Sequence, residues 1–491
     1  MNGDFKGDFT RDTFNKINHF SRVLMQQGRV GLDADWNEQM DILNYYLRTL
    51  TIDLVGSRVA RDTEKVKGFL IGRAPQPAKT TKGKGSTPPP DIVVGEGHYY
   101  VDGILCESDG SYIFTFSDDQ RKNTPIYVVY LDVWERQVTY IENKSIREVA
   151  LGLLGPDTAT RAKVEWRVRA TNSMLGLKSD GTPGTVQIPN PLSDSDPAKF
   201  IKDLDTNWVE QWVPTLQSPY RGLLKAKSGG ASYQDTTPCI IGPEARFRGT
   251  ENQLYRVEIH DSGAAGSATF KWSRENGSVV FPISNLAGKV VTLDTLGRDK
   301  RFGLKQDDWV EIVDDDYYSQ DEPIALVQIE SVDFGHMQVI LKDAPTTSIG
   351  QNTDKHPFLR RWDQNGGELI NGDNVTFSNG AIQIVESKDD TGWITLENNI
   401  QIQFRLTDPK ANYRSGDYWL LPARTATGDI EWPRDENDPT LPATVGPHGV
   451  EHHYAPLALI TFKNEKIADS EIRDLRRTLT QLWNAPTGLT V

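Results

Sequence analysis

Gly7-Asp-Phe-Thr-Arg-Asp-Thr-Phe14, followed by His19-Phe-Ser-Arg-Val-Leu-Met-Gln-Gln-Gly-Arg-Val-Gly-Leu-Asp-Ala-Asp-Trp-Asn-Glu-Gln39, is the stretch on which the reading of this chain turns. Its second half launches a helix. Asp35 is placed to cap it, and Glu38, three residues on, makes an Asp-x-x-Glu capping box. From there Trp36, Met40, Leu43, Leu47, Leu50 and Leu54 recur at spacings of 4-3-4-3-4. That is an a/d seam, the pattern that pairs helices lengthwise. Val55-Gly56 supplies a C-terminal stop. A seam of this kind needs a long apolar partner, in the same chain or on another subunit. Fewer than three heptads is short for a coiled coil, so the pattern alone leaves both open.

Beyond the helix the code changes. Arg73 to Asp91 is rich in Pro, Gly and Lys without periodicity and reads as a linker or loop. From residue 92 short runs of Val, Ile, Tyr and Phe recur between turn residues: His98-Tyr-Tyr-Val with a turn at Asp102-Gly103, Ile126 to Trp134, and Lys163 to Arg169. The last alternates, with Val164, Trp166 and Val168 on one face and charged residues on the other, as a strand with one wet side does. Further runs at Gln253–His260, Ala268–Ser273, Val290–Leu293, Trp309–Val313, Met337–Leu341, Ile382–Val385, Gly392–Leu396, Ile400–Phe404, Tyr418–Leu421 and 454–463 predict sandwich or barrel modules. Asp469 to Leu482 is expected to close the chain as a short helix. The fold class is therefore mainly β with an N-terminal helix, α+β, in several modules. They are a helical docking segment at 1–56 that the β body does not need in order to fold, a linker at 57–91, a β module at 92–172, a polar insertion and connection at 173–235, a second β module at 236–345, and a C-terminal β module at 346–491.

At 491 residues the chain is too long for one hydrophobic core. A net charge of −14 argues against nucleic acid or an anionic membrane surface as the main partner. No window reaches the length of a membrane-spanning apolar run, and the N-terminus lacks the apolar core of a signal peptide. Cys106 and Cys239 are the only cysteines; a disulfide between them stays open, but such sparse usage fits two structural thiols in a reducing cytoplasm better.

Tests for chemistry find no catalytic constellation. Thr81 to Thr87 lacks the order of a phosphate-binding loop, and no G-x-S-x-G elbow occurs. His260-Asp261-Ser262 are consecutive, whereas a triad assembles from separated positions. Asp33, Asp35 and Asn37 copy the first ligands of a calcium loop, but Glu38 stands where Gly is required and Asn44 where Glu is required, so capping is preferred. His448-Gly-Val-Glu451-His452, with His453 next, has the letters of an H-x-x-E-H zinc protease. Pro447, Gly446, Gly449 and Pro456 oppose the helix that this chemistry needs, and the histidines are expected to pack with Tyr454 or bond to backbone. No metal, cofactor or catalytic residue is assigned. Trp134, Trp166, Trp272, Trp309, Trp362, Trp393 and Trp419 lie mostly on strand patterns and are expected in cores, although a few exposed ones would suit a sugar-binding face.

The phrase His19 to Glu38 resembles the opening of an uncharacterised bacterial family found with contractile, phage-tail-like injection particles. The resemblance continues at Gly97–Cys106, Tyr130–Arg136, Gly155–Lys163, Glu251–His260, Phe270–Gly277, Gly416–Leu420 and Gly446–Pro456. It implies a structural, baseplate-linked adaptor rather than an enzyme, with other particle subunits as partners, a homo-oligomer within the assembly and no nucleic acid. Any membrane contact would be indirect. It implies assembly in the cytoplasm into a large particle, anchored at a membrane or released. On that resemblance the seam is expected to pack between chains, with Phe9, Phe14, Phe20, Leu24, Trp36, Met40, Leu43, Leu47, Leu50 and Leu54 as the assembly interface. The alternative function is a carbohydrate-binding or carbohydrate-cleaving appendage. A loop-built zinc hydrolase is a third.

Overall fold

The computed structural model describes residues 2–479 except 64, 76–90, 123–125, 153–156, 178–182, 188–220, 230–245, 298, 300, 321–322, 390 and 406–411; for 173–177, 183–187, 319 and 469 it describes the backbone. The linker expected at 57–91 is in part regular structure, since Arg58–Arg61 and Ile71–Arg73 are strands paired into sheets; residues 76–90, most of the polar stretch 173–235, and Cys239 lie outside the described residues. Among the described residues strand is the main regular structure, and the one long helix, α1, runs from Asp33 to Val55. It divides into two compact units that draw on separated stretches. The first takes Met1–Asp41, Arg136–Lys163 and Tyr220–Val450; the second takes Ile42–Glu135, Val164–Pro219 and Glu451–Val491.

In the first unit two six-stranded sheets face each other. One runs Leu223–Ser228, Ile400–Arg405, Ile394–Thr395, Leu369–Ile370, Asp373–Asn374, with Glu386–Ser387 joined in parallel to Ile400–Arg405. The other runs Phe377–Ser378, Ala381–Gln383, Thr269–Ser273, Gln253–Ile259, Tyr418–Arg424, Asp429–Ile430. Gln253–Ile259 and Thr269–Ser273 form the antiparallel hairpin that the sequence predicts. Their inner residues share one core, including Tyr255, Val257, Phe270, Trp272, Ile402, Phe404 and Trp419, which is the arrangement of a sandwich. Beside it Val280–Ala287, Val290–Leu293, Gln338–Leu341, Val327–Asp333, Trp309–Val313 and Phe358–Trp362 close a six-stranded barrel. Closure removes the exposed edges that a short-stranded sheet would otherwise leave.

The second unit holds two three-stranded sheets, Arg58–Arg61 with Gly97–Val101 and Ile104–Ser108, and Ile71–Arg73 with Ile92–Val94 and Tyr112–Phe114. Gly97–Val101 turns into Ile104–Ser108 through Asp102 (φ 47°) and Gly103 (φ 79°), the two left-handed positions of a tight hairpin. A four-stranded sheet orders Ile472–Asp474, His453–Thr461, Ile126–Val138 and Arg161–Thr171. Val164, Trp166 and Val168 pack on the core as their alternation predicts. The opposite face is less wet than expected, because Arg167 and Arg169 both donate to buried Asp132, at 3.0 and 3.1 Å.

The chain end differs from expectation. Asp469–Glu471 is a single 3-10 turn, and Ile472–Asp474 is a strand paired with Ala458–Ile460, not a helix. The open edge of His453–Thr461 offers ladder hydrogen bonds, and Arg476 anchors the strand's exit by donating to Asp474, Asp62 and the Gly68 carbonyl. Residues 480–482 lie outside the described range.

Candidate assembly interface

Residues 2–14 are sewn into the first unit. The Tyr418 hydroxyl donates to the Gly3 carbonyl at 2.8 Å, and Asn276 donates to the carbonyls of Phe5 and Gly7. Lys6 pairs with Asp4 and with Glu258. Arg256, fully buried over the Tyr418 ring, pairs with Asp4 at 3.0 Å and Glu258 at 2.6 Å. The network runs on through Lys271 to Glu311, which also accepts from Tyr317 and Trp362. Burial opposes ionisation of Glu311, yet Lys271 and Arg360 hold it down to about 2. Asp4 and Glu258 are lowered for the same reason, by Lys6 and Arg256 against burial. Buried charges of this kind are stable only as a complete set. Truncation at residue 56 would thus strip Arg256 of Asp4, so the N-terminus is part of this body and not a detachable hook.

The strap then leads into α1. Thr10 donates to Asp33 through its backbone N–H, at 2.8 Å, and its hydroxyl; Thr13 donates to Glu38 and the Val23 N–H to Gln39. The helix begins two residues before the expected cap. Asp35 accepts from the Leu32 N–H at 3.3 Å, so it occupies the third-residue place of a capping box. Asp33 and Asp35, two of the three calcium-loop letters, are absorbed by these bonds. At the far end Gly56, at φ 106°, stops the helix as expected. Arg48 pairs with Glu135 at 2.8 Å. Gly103 lies so close that a Cβ there would stand 2.5 Å from the Arg48 carbonyl.

The helix packs on its own chain by the face carrying Ala34 and Ile42, each 2 % exposed. Its a/d seam points the other way. Trp36 is 72 % exposed, Leu54 73 %, and Met40, Leu43, Leu47 and Leu50 between 40 and 54 %. Phe20 and Leu24 are also exposed, whereas Phe9 and Phe14 are half-buried. The structure adds residues that the sequence reading did not single out: Ile17, Met25, Val30, Tyr45 and Tyr46, all exposed. Those between 15 and 32 lie on a largely irregular arm, where no period marks them. Monomers rarely expose apolar patches of such extent without a partner.

The histidines part company. His448 stacks on Tyr418 and accepts from the Leu420 N–H, and burial lowers its basicity. His452 reaches Asp132 at 2.6 Å between Trp134 and Tyr454. His453, the first residue of its strand, reaches Asp102 at 3.0 Å. The segment 448–453 carries no helix, and among the described residues no three His, Cys, Asp or Glu are grouped as metal ligands. Cys106 is a buried thiol whose pKa burial raises strongly. Among the described residues no helix is long and apolar enough to cross a membrane.

Trp134, Trp272, Trp362 and Trp419 are buried core residues, and Trp166 packs on the second unit's core. Trp309 differs. It lines a cavity of about 330 Å³ beside the barrel together with Leu326, Gln328, Lys342, Asp343 and Asn379. Its ring lies nearly parallel to Phe377, with centroids 6.2 Å apart. Gly380, at φ +80°, leaves the space that a Cβ 2.6 Å from that ring would take.

Neither a curated protein nor a solved structure matches the chain. A family model matches it over residues 5–176 and 217–466, which takes in the strap, the helix and nearly all of the β framework. The chain therefore belongs to the family of unknown function DUF6519.

Proposed function

We propose that this protein is a structural subunit that docks into a larger assembly through the outward face of α1 and the arm before it. The observation that carries the reading is the seam: six apolar residues at helix-pairing spacing, every one at least 40 % exposed. The resemblance seen in the sequence supports a contractile, phage-tail-like injection particle as that assembly, with this chain at or attached to its baseplate. The strap at residues 2–14 supports a rigid mounting for the face, since Asp4 and Lys6 are locked in a buried charge network.

The test is co-sedimentation from the native host. Wild-type chain should travel with large particles, and Leu47→Asp should leave it in the soluble fraction with its fold intact by circular dichroism. Normal incorporation of Leu47→Asp would refute docking through this face.

A second reading has support in the Trp309 cavity. Its size reaches the lower end of ligand pockets, and an aromatic beside amide, ammonium and carboxylate groups suits a sugar. Binding on a glycan array that is lost in Trp309→Ala would favour it.

A further inference from the structure

We infer that α1 pairs with α1 of a second copy of this chain, antiparallel about a two-fold axis. The inference rests on the reading of the seam as a docking face and names its occupant.

The first ground is the spacing. The order 4-3-4-3-4 is the same in both directions. Turned end for end on a second copy, Trp36 meets Leu54, Met40 meets Leu50, and Leu43 meets Leu47, and the two-fold repeats each pair. These are the a-to-d layers of an antiparallel coiled coil, and no seam residue is left unmatched. The two most exposed members, Trp36 and Leu54, fall against each other. In a parallel pair Trp36 would instead meet its own copy.

The second ground is charge. Two chains of net charge −14 repel. The positions flanking the seam are Asn37, Gln39, Asn44, Tyr46 and Thr51, all uncharged, with Asp53 the one exception. Antiparallel pairing sets Asp53 toward Gln39 of the other copy, away from a second Asp53. Asp35, Glu38, Asp41 and Arg48 lie off the seam, where Glu38 and Arg48 already have partners in their own chain. A strongly charged partner would find little to pair with here.

The third ground is area. At 1.5 Å per residue α1 is roughly 34 Å long and about 10 Å across, giving a face on the order of 350 Å². A stable interface needs about 800 Å² per partner. The arm supplies the difference. Phe20, Leu24 and Met25 are 57, 69 and 64 % exposed. The arm is tied to the start of α1 through Thr13–Glu38 and Val23–Gln39. In the antiparallel register that end of α1 lies beside the partner's Leu50–Leu54 end, so the arm reaches the second copy.

The experiment takes the purified full chain. Sedimentation should give twice the chain mass, falling to the single-chain mass for Leu43→Asp or Leu47→Asp. Register is read with Leu43→Cys and Leu47→Cys, each made alone and then mixed under mild oxidation, with the parent protein as background. A disulfide-linked dimer that forms only in the mixture supports the antiparallel pair. Linked dimers from each variant alone mean a parallel pair and overturn the inference. A single-chain mass at all concentrations also overturns it; if Leu47→Asp then still abolishes particle incorporation, the docking face stands and its occupant is a different subunit.

Discussion

Replacing Ile42 and Leu47 by alanine, one at a time, separates the two faces of one helix. Ile42 is 2 % exposed, and truncating a residue so buried removes its transfer energy and leaves a cavity, a cost of about 2–5 kcal/mol. Leu47, five residues on, is 53 % exposed. It already forgoes roughly half of the ~1.5–3 kcal/mol that full burial of a leucine contributes. About 0.7–1.4 kcal/mol is left to lose, and alanine's better helix propensity returns a few tenths of that. Urea denaturation of dilute single chains should therefore show a large loss for Ile42→Ala and under about 1 kcal/mol for Leu47→Ala. Association should show the reverse. The exposed half of Leu47, buried on pairing in both copies, is worth about 1.5–3 kcal/mol per dimer, roughly 10- to 150-fold in Kd by sedimentation. Should Leu47→Ala destabilise the single chain as much as Ile42→Ala, with its mass unchanged, the seam would be packed within its own chain and the reasoning would fail.

Arg256→Ala should cost about 3–5 kcal/mol in urea denaturation of the first unit, because it leaves buried Asp4 with Lys6 alone and Glu258 with only Lys6 and Lys271, one cation short of a complete set. Asp4, Glu258 and Glu311 are held below their ordinary values in the fold, so the unfolded chain takes up protons first as pH falls. Stability from these groups is full above about pH 4.5 and is lost progressively toward Glu311's value of about 2; a first-unit midpoint unchanged between pH 6 and 3 would contradict the network. Gly103→Ala forces a Cβ against the Arg48 carbonyl at positive φ and should cost at least ~1–3 kcal/mol, with the largest loss of hydrogen-exchange protection at the end of α1. His452→Ala removes one of three groups on buried Asp132 and a ring between Trp134 and Tyr454, and a loss of about 1–3 kcal/mol is expected in the second unit's unfolding transition.

Local signals were legible where the physics is local. The Asp102-Gly103 turn, the hairpin Gln253–Ser273 and the Val164-Trp166-Val168 face all appear where their patterns place them. The seam was equally plain, since its period depends only on α1 itself. Pairing across long separations was not legible. His453–Thr461 joins Ile126–Val138 more than three hundred residues away, and the barrel takes strands from Val280 to Trp362 in an order that no short window encodes. The terminal helix failed for this reason: the open edge beside Ile472–Asp474 decides its state, and that edge is invisible from Asp469 onward. Nothing in the sequence marks Lys6 and Asp4 as buried, because their burial depends on Arg256 and Glu258. The arm residues Ile17, Met25 and Val30 carried no period to mark them.

The strap and the seam make sense together. An apolar stripe on a free helix collapses onto the nearest apolar surface of its own chain, since burial at about 25 cal/mol per Å² favours any such contact. Holding it outward requires that the opposite face be fixed more firmly than the stripe can be buried. Each end of α1 has such a fixture. At the start Asp33 and Glu38 accept from the strap and Gln39 from Val23 of the arm, and the strap is anchored by Asp4, Lys6 and the Asn276 amide. Toward the end Arg48 pairs with Glu135, and Gly103 admits the helix backbone to a distance that no side chain would allow. Ile42, between them in sequence, is buried. The buried charges that look costly in isolation thus have a use: they fix where the first turns of α1 sit, and with them the direction in which Trp36 and Met40 face.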